Sequence, residues 1–194
     1  MRAEGILPKL GEVGRTVVAD EGYVGGKPRY AHQFNGKYKG KTPVVVLVEK
    51  GGQARAKVMP TVSAKNVAKY LLENVSLGST LVTDESSLYK TVGQRFMAHK
   101  TVNHSMKEYA RVEDLTVVNS NLGESFLALV KRSVYGSFHS VSPEHLQKYM
   151  DELTMRWNSR KMSDVDRALL VMKGAEGKRL MYTKPKGSDI GPTK

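Results

Sequence analysis

Apolar and polar residues alternate or cluster along this chain in a way that predicts strands first and helices later. Residues 16–20, Thr-Val-Val-Ala-Asp, form a short apolar run closed by an acid, read as a buried strand with Asp20 at its end. Residues 43–49 and 54–59 are β-branched or alternating runs separated by Lys50-Gly51-Gly52-Gln53, where paired glycines permit a tight hairpin turn. Three consecutive antiparallel strands are expected. Ser63 then reads as an N-cap, and Ala64, Val67, Ala68, Leu71 and Val75 recur at helical spacing until Gly78. Thr80-Leu81-Val82-Thr83 is the next strand, with Asp84-Glu85 at its C-terminal end and a short helix over 86–91. A further strand is expected near 100–103.

The period then changes. From 121 to 134, Leu122, Phe126, Leu129 and Val130 fall on one side of a helix and polar residues on the other. Ser142-Pro143 opens a further helix, a cap with proline at the first helical position, which stacks Leu146, Tyr149, Met150, Leu153 and Trp157. Beyond Lys173, lysines and glycines dominate and read as a solvated tail. Three strands, a helix, a strand, a helix, a strand and then helices imply an α/β domain, a mixed sheet with helices packed on it in three layers. At 194 residues the chain suits one such domain. The expected division is a lead-in over 1–15, the domain over 16–172 and a basic tail over 173–194.

Composition narrows the chemistry. No cysteine is present, which excludes disulfides, thiol catalysis and cysteine zinc sites, so any metal must be held by oxygen or imidazole. No apolar run approaches the roughly 20 residues of a membrane span, and the first 15 residues lack a signal-peptide core. A cytoplasmic, nucleoid-associated location is expected. The formal charge of +12 points to a polyanionic partner, because clustered cations release counterions when they meet phosphates. Between Gly25 and Thr42, Lys27, Arg29, Lys37, Lys39 and Lys41 are interleaved with Tyr30, Phe34 and Tyr38 and with no acid. That loop is a candidate to track a DNA backbone and stack its bases, or a plain surface loop. Gly25-Gly26-Lys27 lacks the spacing of a nucleotide-binding loop. His32, His99, His104, His139 and His145 are scattered without the i, i+4 pair of a zincin helix.

Asp20 and Asp84 close two strands, lie 64 positions apart and are each followed by Glu. Two converging carboxylates repel, and a hard divalent cation relieves that repulsion through oxygen. On the helix from Asn121, Asn121, Glu124 and Lys131 lie near one face. Asn121 offers a carbonyl oxygen, Glu124 a carboxylate, and Lys131 a point charge for a phosphate. A turn aspartate and a solvated helix face are the plain alternatives for these residues taken singly.

Several blocks resemble insertion-sequence transposases of the ISXO type, in order along the chain. Val18-Ala19-Asp20-Glu21-Gly22-Tyr23-Val24-Gly25-Gly26-Lys27 resembles their first catalytic motif, and Thr83-Asp84-Glu85 with Tyr89 resembles the second. Val102-Asn103-His104-Ser105 with Tyr109 resembles a segment between motifs, and Asn121 to Phe126 through Lys131-Arg132 resembles the third. Tyr135 to His139 and Val141 to Leu146 extend the likeness.

The resemblance implies an RNase H-like catalytic domain that cleaves and transfers DNA strands at transposon ends, using Mg²⁺ or Mn²⁺, two ions in all, and working as a homo-oligomer on DNA. Asp20 and Asp84 carry over as catalytic metal ligands, and the third position falls on Asn121 or Glu124. Lys131 and Arg132, with Lys27, Arg29, Lys37, Lys39 and Lys41, are the expected DNA contacts, and Lys131 counts also with Asp20, Asp84, Asn121 and Glu124 among the expected catalytic residues. His104 and His139 are candidates to orient a phosphate or a carboxylate, or ordinary structural histidines. Family members carry an N-terminal zinc ribbon and helix-turn-helix, whereas here 19 residues without cysteine precede Asp20. The alternative reading is therefore a catalytically inactive remnant that only binds DNA, and a third is an RNase H-like nuclease of another kind.

Overall fold

The computed structural model describes residues 8–25, 41–102, 111–113, 116–118, 121–139 and 141–177, with the backbone alone for 111–113 and 116–118. The first three strands, β1 (Thr16–Val24), β2 (Thr42–Glu49) and β3 (Ala54–Val58), form the expected antiparallel meander. Helix α1 (Ala64–Asn74) follows, capped by Ser63, whose hydroxyl accepts from the Asn66 N–H at 3.3 Å. Strand β4 (Thr80–Asp84), the seven-residue α2 (Ser87–Gly93) and β5 (Ala98–Val102) complete a five-stranded sheet of order β3-β2-β1-β4-β5. β4 runs parallel to β1, and β5 runs parallel to β4, so the sheet is mixed. Two three-residue strands, β6 (Arg111–Glu113) and β7 (Thr116–Val118), pair as a separate ribbon.

Helix α3 (Asn121–Arg132) runs on into a π-helical segment, Ser133–Phe138, that the sequence pattern does not reveal, and α4 (Pro143–Asn158) and α5 (Asp164–Ala175) follow. His139 closes the π-helical segment at φ 56°, in the left-handed region.

The sheet is covered on both faces, which is why its central strands read as nearly continuous apolar runs. On one face Val17, Ala19, Val45, Leu47 and Leu81 meet α1 and α2 through Val67, Leu71, Tyr89 and Val92. On the other, Val24, Val44, Val46 and Val48 meet α3 and α4 through Phe126, Leu127, Val130, Leu146, Met150 and Leu153. Leu10, ahead of β1, is buried and bridges Val75 in parallel, so the chain before β1 packs on the domain.

The edge strand β3 is closed by side chains of α4. Gln147 accepts from the Val58 N–H at 2.8 Å and donates to the Ala56 carbonyl at 3.1 Å. Asn158 accepts from the Ala54 N–H at 2.7 Å and returns a bond to the Ala54 carbonyl at 3.1 Å. The two amides stand about three helical turns apart on α4 and replace the missing neighbour strand, which blunts an edge open to aggregation. Among the described residues no helix is long and apolar enough to cross a membrane.

Candidate active site

Asp20 does not end its strand, as its polar neighbours in the sequence suggested. β1 continues four residues further because Glu21, Gly22, Tyr23 and Val24 all remain paired with β2, opposite Val45, Val44, Pro43 and Thr42. What ends near Asp20 is the pairing on the other side. β1 and β4 are joined from Thr16↔Thr80 to Val18↔Val82, and Asp20 and Asp84 each lie two residues beyond the last pair, near enough for the Asp84 charge to act on Asp20. The strands part there, at the carboxyl end of β4 and at the switch between antiparallel and parallel connections. That is where open α/β sheets form a crevice for a ligand. Neighbouring strands lie about 4.8 Å apart, so two carboxylates of the same parity meet on one face.

That face is the one under α3. Val18 and Val82 pack with Leu122, and Gly123 lies so close that a Cβ there would stand 2.8 Å from Asp20 Cβ and 3.3 Å from Asp20 Oδ2. One turn on, Leu127 rests on Gly22, where an added Cβ would stand 2.6 Å from Leu127 Cδ2. The contacts advance along helix and strand together, so α3 runs in the direction of β1. Two glycines, one on each element, allow this approach. They account for the glycines inside both motif-like blocks, and the space over Gly22 is what lets Leu127 be buried there.

The electrostatics of Asp20 follow from this placement. Burial pushes its carboxyl up to about 6, while the Glu21 N–H, donating to Oδ1 at 2.8 Å, works in the opposite direction. The neighbouring charges of Glu21, Asp84 and Glu124 add to the rise. Asp84 is fixed differently, its Oδ1 accepting from the Ser86 N–H at 3.1 Å as α2 begins.

A second layer of polar groups lies behind these acids, on the α2 face, and the sequence reading did not single it out as a unit. Glu21 accepts a hydrogen bond from the fully buried Tyr89 hydroxyl. Burial raises the Glu21 pKa, the Tyr89 bond opposes the rise, and Asp84 adds to it. Thr83 donates to the Asp84 carbonyl at 2.7 Å, so its hydroxyl accepts from His99 Nε2, 2.9 Å away. Burial lowers the His99 pKa and favours the neutral ring. His99 also lies against Gly93, where a Cβ would stand 2.1 Å from its Nδ1. An open hollow of about 340 Å³ is lined by Glu85, Ser86, Lys90, His99 and Thr101. Tyr89 was legible only as part of the second motif, and His99 only as one of five scattered histidines.

Of the residues expected from sequence, Asp20, Asp84 and Glu124 are brought within electrostatic range of one another. Asn121 is exposed in the first turn of α3, two residues before the Gly123 contact. Lys131 and Arg132 are exposed in its last turn, roughly 10 Å along the axis from Glu124. The buried stripe of α3 is Gly123, Phe126, Leu127 and Val130, with Leu129 only half-buried, so the exposed side carrying Asn121, Glu124 and Lys131 is as expected. Lys41 is exposed immediately before β2. Lys27, Arg29, Lys37 and Lys39, with Tyr30, Phe34, Tyr38, His32 and His104, lie outside the described residues. His139 and His145 are exposed, away from the two aspartates in the sequence of elements.

A mixed five-stranded sheet of this order, covered by helices on both faces, with aspartates two residues beyond the last pair of its adjacent parallel strands β1 and β4, is an RNase H-like domain. Residues 11–158 match the family model of the ISXO2-like transposase domain, and the chain belongs to that family of insertion-sequence transposases. No curated protein matches the chain. Membership brings with it a transposase role, DNA binding and, in general terms, DNA-cleaving activity.

Proposed function

We propose that this domain cleaves DNA at the ends of an insertion sequence and joins the freed 3′-hydroxyl to target DNA, with Asp20 and Asp84 as its catalytic carboxylates. The observation that carries the reading is that those two residues each lie two positions beyond the last pair of adjacent parallel strands, where burial, with the Asp84 charge adding to it, pushes the Asp20 carboxyl up to about 6.

A divalent cation fits this donor set. Among the described residues no three His, Asp or Glu side chains stand together as a ready cage. An aspartate pair is nevertheless what Mg²⁺ commonly uses, since that ion keeps several waters and completes its shell with substrate phosphate. Two ions, Mg²⁺ or Mn²⁺, would be held by Asp20 and Asp84 with an oxygen from Asn121 or Glu124. Such a pair supplies activation of the attacking oxygen and stabilisation of the leaving one.

The chain's own part is positional. Gly123 lets α3 press its first turns onto Asp20, the Ser86 N–H fixes Asp84, and Glu21 with Tyr89 and Thr83 with His99 hold the two strand ends from behind. Lys131 and Arg132 extend the exposed side of α3 as phosphate contacts, and the segment with Lys27, Arg29, Lys37, Lys39 and Lys41 is the proposed track for the DNA backbone. The domain proper is proposed to span 16–172. A homo-oligomer on DNA is proposed because strand transfer joins two ends.

The test uses a labelled duplex carrying the element's end, with Mg²⁺. Asp20→Asn and Asp84→Asn should each abolish nicking and strand transfer while DNA binding in a gel-shift assay is kept. Retained nicking in either variant would falsify the assignment, and calorimetric titration with Mg²⁺ should show binding to the wild type that both variants lose.

A further inference from the structure

Helix α5 lies beyond the family-matched residues and presents an apolar surface that none of the described residues buries. None of its residues is buried, although Val165 is 70% exposed, Leu169 50% and Met172 68%. Those three recur at i, i+4 and i+7 with Ala168 beside them, so they form one stripe. The opposite side is tied to the turn that follows α4. There Arg167 donates to the Ser159 and Met162 carbonyls at 3.3 and 3.5 Å, and its neighbours Leu170 and Val171 are the less exposed apolar residues, at 43% and 36%. The helix is therefore anchored by its Arg167 side and turns its most apolar side outward. It is also well formed. Ser163 caps it, accepting from the Asp166 N–H at 3.1 Å, and Glu176 and Gly177 end it, the latter at φ 68°.

We infer that this stripe is a self-association surface, on which α5 of a second copy of this chain packs antiparallel about a two-fold axis near Leu169. The charges select that occupant and that direction. Asp166 and Lys173 lie seven residues apart on the same flank of the stripe. In an antiparallel two-fold pair the same flanks of the two helices face each other, which sets Asp166 of each copy against Lys173 of the other. In a parallel pair this flank would face the one carrying Asp164, with the acidic first turns side by side. The same antiparallel register places Val165 opposite Met172 and the two Leu169 residues together at the axis, and it opposes the helix dipoles. An apolar patch on the order of 400 Å² is of the size that marks interaction sites, and about half of what each partner brings to a standard interface. The pair is thus weak when alone and suited to forming when two domains are held on one DNA. This inference stands on α5 and does not depend on which residues carry the chemistry.

The absence of native cysteine makes cross-linking of the full chain a clean readout. Leu169→Cys chains should form a disulfide-linked dimer under mild oxidation. Asp166→Cys chains and Lys173→Cys chains should each cross-link poorly alone and efficiently when mixed. Sedimentation of the wild type over about 1–200 µM should show a monomer–dimer equilibrium that Leu169→Glu abolishes without lowering the melting temperature. The inference is overturned by a wild type that stays monomeric throughout, by Leu169→Glu chains that still associate, or by Asp166→Cys and Lys173→Cys chains that each cross-link alone and gain nothing on mixing. If the wild type is monomeric and removal of residues 178–194 newly exposes the stripe to a hydrophobic dye, the chain's own tail is the occupant.

Discussion

Replacing Asp20 with Asn should make the metal-free protein more stable while removing its activity. The carboxyl rises from 3.8 to about 6 in the fold, and at about 1.36 kcal/mol for each pKa unit its ionised form costs the native state about 3 kcal/mol. Asparagine resembles the protonated acid. Its Oδ1 can keep the bond from the Glu21 N–H, and its amide can donate toward the neighbouring carboxylates, so most of that cost is relieved. The sign with pH follows from a folded pKa above the unfolded one. The group's contribution is fully present below about 3.8, is lost as pH rises toward 6 and is constant above that. Asp20→Asn should accordingly gain up to about 3 kcal/mol at pH 7.5 and almost nothing near pH 3.5. For a chain of this length that is roughly 6–12 °C in melting temperature at the higher pH. Thermal melts of both proteins in chelator at the two pH values measure it. A loss of stability at pH 7.5, or an equal gain at both, would refute the account of Asp20 as a buried, repelled charge.

Three further substitutions test how the site is held. Gly123→Ala should lose cleavage and about 1–3 kcal/mol of stability by thermal melting, since its methyl meets the Cβ of Asp20 and not a movable chain end. Gly22→Ala meets only the tip of Leu127, so the double variant with Leu127→Ala should cost less than the sum of the two single substitutions, with a coupling of at least about 0.5 kcal/mol in a double-mutant cycle. Asn158→Ala strips both partners from Ala54 at the β3 edge and should cost about 1–3 kcal/mol, with faster hydrogen exchange at the Ala54 amide.

The meander, α1, β4 and α4 were legible because their residues obey local rules: β-branched runs, a Gly-Gly turn, a serine cap, a proline at the first helical position. Asp84 was placed correctly for the same reason, since β4 does end there. Asp20 was not. Asp, Glu and Gly are poor strand formers, so the sequence reads as a stop, whereas pairing with β2 carries the strand through them. Sites are where local preference and fold part company, because an acid inside a sheet serves chemistry at the expense of stability. The Glu21–Tyr89 and Thr83–His99 pairs were beyond reach for another reason. They join β1 to α2 and β4 to β5, and spacing along a chain does not show which side chains tertiary packing brings together. The outward stripe of α5 has helical spacing in the sequence, yet only the structure shows that the described residues leave it exposed.

The choice of third oxygen follows from charge once α3 is placed. Asn121 and Glu124 flank Gly123, the residue that touches Asp20, and stand about 4.5 Å apart along the helix axis. Glu124 is already among the charges that raise Asp20, so without a cation it adds to the repulsion, whereas Asn121 brings an oxygen without charge. A metal offsets that repulsion most where the ligand is charged. If Glu124 completes the site, Glu124→Gln should remove most of the melting-temperature rise that Mg²⁺ produces, a rise that grows with the ratio of ion concentration to its dissociation constant. Asn121→Ala should then leave the rise nearly intact. If Asn121 is the ligand the two results exchange. A Mg²⁺-induced rise that neither substitution reduces would contradict both alternatives.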